Sequence, residues 1–142
     1  MNTPQARWEH FEHQADIGVR GIGCSMAEAF VQAALALTAI ITEPETVTPL
    51  QAVDIVCEEP DQELLLVDWL NALIYEIATR KMLFGRFEVQ LDGPRLQARV
   101  WGEPIQTGKH QLTVEIKGAT FTALKVGQDD SGVWVAQCVV DV

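Results

Sequence analysis

Carboxylates and imidazoles crowd the stretch from Trp8 to Gly18, which reads Trp-Glu-His-Phe-Glu-His-Gln-Ala-Asp-Ile-Gly. At the other end of the chain Asp141 stands immediately before Val142, so a short tail carries a side-chain carboxylate and a terminal one. Carboxylates held close together repel one another unless a proton or a hard cation neutralises them. If folding joins head and tail, Asp16, Asp141 and the Val142 carboxylate make an oxygen-only set, suited to Ca2+ or Mg2+ rather than zinc. Ordinary uses compete with this reading. Asp16 beside Ile17-Gly18 can cap a turn, and an acid near a chain end is commonly solvated. His10 and His13 lie three apart in extended chain and so on opposite strand faces; they suit a shared metal poorly, and at least one reads as a structural hydrogen-bonder. Lys109-His110 and the pair Glu115 and Lys117 read either as a site rim or as sheet-surface charges. The motifs GxSxG, GxGxxG and HExxH and the Walker loop do not occur, so no complete catalytic set emerges.

The elements that would carry these groups show in the hydrophobic periodicity. Two short extended stretches flank Asp16, one around Trp8-Glu9-His10-Phe11 and one over Ile17–Ile22. Ser25-Met26-Ala27-Glu28 is a capping box, followed by apolar residues at Met26, Ala29, Phe30, Ala33, Leu37, Ile40 and Ile41 at helical spacing, ending before Pro44. Val47 to Glu59 predicts a strand, with Val53, Ile55 and Cys57 on one face. Pro60-Asp61-Gln62-Glu63 opens a second, heavily apolar helix that ends at Arg80-Lys81, with acids at its positive pole and bases at its negative one. Phe87, Val89 and Leu91, then Leu96, Ala98 and Val100, alternate on either side of an Asp92-Gly93-Pro94 turn. Further strands are predicted over Leu112, Val114 and Ile116, over Thr120–Val126, and over Val133–Val140, the last apolar enough to be central. A buried final strand would fix the C-terminus, and only a fixed terminus makes a dependable ligand. The pattern predicts an α+β fold, mostly antiparallel sheets with two packed amphipathic helices, as one domain over residues 1–142.

Composition narrows the function. Nearly half of the 142 residues are hydrophobic, enough for a core without staples. Cys24, Cys57 and Cys138 form no CxxC pair and no zinc pattern, as expected of buried apolar residues in a reducing compartment. The start Met1-Asn2-Thr3-Pro4-Gln5 lacks a secretory signal's pattern and no apolar run is long enough to span a bilayer, so a cytoplasmic address is expected. The net charge of −10 is uneven: no Lys or Arg falls between Arg20 and Arg80, where ten acids do. That bias opposes direct tight binding to nucleic acid. The acids serve either to dock a basic partner or simply as a solvated face.

The block His13-Gln14-Ala15-Asp16-Ile17-Gly18, with Trp8 to Glu12 before it, resembles the N-terminal signature of the archease family. The resemblance continues through Ser25 to Glu28, Ala29-Phe30, Ala33 to Leu37, Trp101-Gly102-Glu103, Lys109-His110, Glu115 to Thr120 and Trp134 to Val142, nearly the whole chain. It implies a protein that assists a partner, not a stand-alone enzyme: archeases promote guanylylation and repeated turnover of the RtcB-type RNA ligase of tRNA splicing, and can widen its nucleotide specificity. It also implies a bound divalent cation, usually calcium, with Mg2+ and Mn2+ as alternatives. Its ligands here would be Asp16, Asp141 and the Val142 carboxylate, with His13 and Lys117 in support. The chain departs from the family pattern at Gln14, where threonine is frequent, at Phe121-Thr122, where tyrosine and histidine are, and at Val140, where proline is. No histidine role carries over to Thr122. The alternative is a metal-stabilised binding or chaperone-like module acting through its acidic surface.

Overall fold

The computed structural model describes residues 5–110 and 114–142. The chain opens with two antiparallel strands, β1 (Arg7–His13) and β2 (Asp16–Gly23), joined by a tight turn at Gln14-Ala15 in which Gln14 takes a φ of +54°. Helix α1 (Met26–Ile41) follows, then a 3-10 turn at Pro44–Thr46, β3 (Gln51–Glu58) and helix α2 (Gln62–Arg80). A long hairpin, β4 (Met82–Asp92) and β5 (Arg95–Pro104), precedes two short strands, β6 (Gly118–Ala119) and β7 (Lys125–Gln128), and the final strand β8 (Trp134–Asp141). The fold is α+β with all strand pairings antiparallel.

One sheet runs β1-β2-β8-β6, with β7 also on β8; the other runs β3-β5-β4. β8 is thus central, as its apolar run requires, with Ala136, Cys138, Val139 and Val140 all buried. The alanine stripe of α1 lets it lie close against β2. At Gly21 a Cβ would stand 2.0 Å from the Ala29 carbonyl oxygen, so only glycine admits the helix at that height. Trp69 Nε1 donates to the Phe30 carbonyl (3.0 Å) and Thr38 Oγ1 to the Phe84 carbonyl (2.7 Å), tying α1 to α2 and to β4 inside one buried core.

Several expected boundaries shift, each for a local reason. The N-cap of α1 is Ser25, accepting from the Glu28 amide (3.1 Å), but Glu28 Oε1 receives the Cys24 amide (3.0 Å), one residue earlier than a capping box requires. Asp61 caps α2 by accepting from the Glu63 and Leu64 amides, which leaves Pro60 outside the helix instead of in its first turn. The expected strand at Leu112, Val114 and Ile116 does not form over the described part: Val114 is exposed and Ile116 buried, and Leu112 lies outside the described residues. The expected strand Thr120–Val126 is mostly turn; Ala123 takes a φ of +54° and only Lys125–Gln128 pairs.

Candidate functional site

The β2–β8 ladder brings the turn of the first hairpin beside the C-terminal end of the last strand. Its register sets Ile17 opposite Val140 and Gly18 opposite Val139, so Asp16 and Asp141 are the residues immediately beyond the last pair on their two strands. On one flank His13 of β1 lies opposite Asp16, and on the other Gly118 of β6 lies opposite Asp141. Facing residues of an antiparallel pair project from the same side of a sheet. The row His13, Asp16, Asp141, Gly118 therefore crosses four strands at one end of the sheet. Lys117, next to Gly118, donates its amide to the Asp141 carbonyl (2.9 Å).

The tail is held, not frayed. Val140 is fully buried and Val142 packs its side chain against the core, which fixes the residue between them. Asp16 is half-buried, whereas Asp141 is exposed. Among the described residues neither carboxylate has a hydrogen-bond or ion-pair partner. The turn-capping use considered for Asp16 thus has no donor there.

The chemistry of the donor set fits a hard cation. It contains oxygen only, and three carboxylates, each able to bind through one or two oxygens, reach the low end of the roughly six to eight that calcium takes, with water to complete the shell. Among the described residues no group of three or more His, Cys, Asp and Glu side chains is gathered to hold a metal; the head-and-tail set has only two side chains and depends on the terminus for its third carboxylate. His10 is drawn away from this end, its Nε2 meeting the Ala36 carbonyl at 2.7 Å, a structural role in keeping with the spacing of the two histidines.

A second polar cluster lies elsewhere and is not a rim of this site. Glu103, at the end of β5, is almost wholly buried and receives Lys109 Nζ (2.7 Å) and the Thr48 amide (2.6 Å). His110, also buried, accepts from the Gln106 amide at Nδ1 (3.0 Å), which leaves Nε2 to donate to Glu103 (3.3 Å). Lys109 also reaches Thr48 Oγ1 (2.6 Å). The hydrogen bond from Lys109, then those from the Thr48 amide and His110, lower the Glu103 carboxyl to about 2 despite its burial. Lys109-His110, read from the sequence as a rim or surface charge, is instead a staple, with His110 buried and Lys109 at the surface, closing the loop after β5 onto the segment before β3. Only the closeness of Glu103, Lys109 and His110 in sequence hinted at it.

The fold defines a small two-sheet α+β protein whose first hairpin and last strand share a sheet, with the turn of that hairpin beside the end of the last strand. Residues 8–142 match the model of the Archease protein family (MTH1598/TM1083). The protein archease of Pyrococcus abyssi is 36% identical over 140 residues, covering 96% of this chain and 99% of that one. The solution structure of protein 1598 from Methanobacterium thermoautotrophicum superposes with a TM-score of 0.78 at 26% identity, covering 95% of this chain and 98% of that one. The crystal structure of a Thermotoga maritima archease, described as a possible chaperone, shares the fold with a TM-score of 0.57 at 21% identity, over 100% and 98% of the two chains. This chain belongs to the archease family.

Proposed function

We propose that this chain activates an RtcB-type RNA ligase of tRNA splicing or RNA repair, promoting guanylylation and repeated turnover of that enzyme. It does so with a divalent cation, calcium in the first instance, held by Asp16, Asp141 and the Val142 carboxylate. The observation that carries this reading is the row of acids at the junction of the first hairpin and the last strand, with both side chains unpaired among the described residues. Bound there, the cation would supply positive charge for phosphate oxygens. The chain's own residues orient it: β8 fixes the tail, and His13 and Lys117 flank the two acids. The reaction itself stays with the partner, whose own nucleophile takes the guanylyl group.

A second reading is favoured by the charge distribution. The cation would then be structural, tying first and last strands together, while the acids between Arg20 and Arg80 dock a basic partner. A folded Asp16→Asn chain that still stimulates the ligase would select this reading.

The direct test is guanylylation of an RtcB-type ligase with GTP, with and without this protein. The full chain is expected to raise the rate and to allow more than one turnover. A chain lacking residues 141–142, or carrying a C-terminal extension, should lose most of the stimulation while remaining folded. Unchanged stimulation by both would contradict the use of the tail.

A further inference from the structure

Strand register decides which side of the sheet the carboxylates stand on. Facing residues of an antiparallel pair project from one side, as do residues two apart along a strand. His13, Asp16 and Asp141 therefore share a side with Phe11, Gly18 and Val139, which form the next row inward along β1, β2 and β8. Helix α1 packs on the opposite side, where His10 Nε2 meets the Ala36 carbonyl and a Cβ on Gly21 would strike the Ala29 carbonyl oxygen. The acid row thus lies beside an apolar row, on the side of the sheet away from α1.

Within that apolar row the Phe11 ring reaches across to β2. A Cβ on Gly18 would lie 2.3 Å from two of its ring carbons, so the ring occupies the space that a larger residue at 18 would fill. One row further on, Arg20 donates to Glu9 Oε1 (2.6 Å) and to Gln137 Oε1 (2.8 Å), and its guanidinium carbon lies 4.7 Å from the centre of the Phe11 ring. The ring is thus seated on Gly18 and covered by Arg20, whose charge Glu9 already engages. Gly18 is two residues from Asp16 and faces Val139, itself two from Asp141, so the ring stands over the row that borders both carboxylates.

We propose that Phe11 dries one flank of the head-and-tail carboxylate site: its ring, seated on Gly18 under Arg20, keeps water off the neighbouring side of a cation held by Asp16, Asp141 and the Val142 carboxylate. This rests on the reading above. An apolar wall limits the waters that a bound metal keeps and lowers the local dielectric, which strengthens the attraction between carboxylates and cation. It also gives Gly18 a purpose, since alanine there fits a strand but displaces the ring.

The test loads the metal-stripped full chain with Eu3+, an oxygen-seeking ion of calcium's size, and counts its bound waters from luminescence lifetimes in H2O and D2O. Affinity for Ca2+ is measured by calorimetry on the same proteins. Phe11→Ala and Gly18→Ala are each expected to add at least one bound water and to weaken Ca2+ binding about tenfold, with cooperative melting of the metal-free chain showing that both are folded. An unchanged water count in Phe11→Ala would overturn the proposal, with or without a loss of affinity, because weaker binding alone is what a merely structural defect gives. If Phe11→Ala folds poorly, the water count of Gly18→Ala decides in its place, since that variant keeps the ring and only displaces it. A parent chain that binds neither ion would contradict the head-and-tail reading itself, and this proposal with it.

Discussion

Glu103 gathers the Lys109 ammonium, the Thr48 amide and the His110 ring around one buried carboxylate. A carboxyl depressed in the folded state binds fewer protons there than in the unfolded chain, so stability is lost as pH falls. The contribution is fully present above the ordinary value of 4.5 and disappears as pH drops through about 2. Glu103→Gln is therefore expected to melt at lower temperature than the parent near pH 7. The gap should close between pH 4.5 and about 2, where the parent also loses the charge. Thermal melts across that range check it; a gap that stays constant would contradict the assignment. Little of this cluster was legible in the sequence. Thr48 lies far from Glu103 along the chain, and no periodicity distinguishes the buried His110 from an exposed histidine. Asp16 and Asp141 are the opposite case. Their types suggested a shared cation, but that Asp16 stands beside Asp141 at the end of the β2–β8 ladder depends on strand register, which no local pattern encodes.

Helices α1 and α2 were legible because their apolar stripes span several turns and their caps use side chains suited to that place. Asp61 accepts two first-turn amides of α2, and Asp61→Ala is expected to cost about 1 kcal/mol in urea unfolding. A cost near zero would mean that water satisfies those amides equally well. Gly21 is the point where α1 touches β2 most closely. Gly21→Ala places a methyl group against the backbone of Ala29 and Ala33, which cannot rotate aside, and should cost at least about 3 kcal/mol. A soluble variant with unchanged urea midpoint would contradict that packing. The described residues between 105 and 124 were read least well. Their order comes from single tertiary bonds, such as Asn71 to Ala119 and the paired Thr120 bonds to the Val139 carbonyl, and these leave no alternation to find. Gln14 and Ala123 take left-handed backbone without being glycine, so neither turn announced itself through composition.

At the scale of the molecule, the acids crowded between Arg20 and Arg80 and the acids at the chain ends are separate features. The first run from Glu28 of α1 through the 3-10 turn and β3 to α2, whereas Asp16 and Asp141 flank the end of the β2–β8 ladder. The measurement that bears most directly on the shared ion is the melting temperature of the metal-stripped chain with and without Ca2+, for the parent, Asp16→Asn, Asp141→Asn and the double variant. At Ca2+ about a hundredfold above its dissociation constant, the parent should gain about 2.7 kcal/mol, or roughly 5–10 °C. Each single variant should lose nearly all of that gain, and the double variant no more than either. A parent that does not respond to Ca2+, or a response that survives in either single variant, would contradict the account.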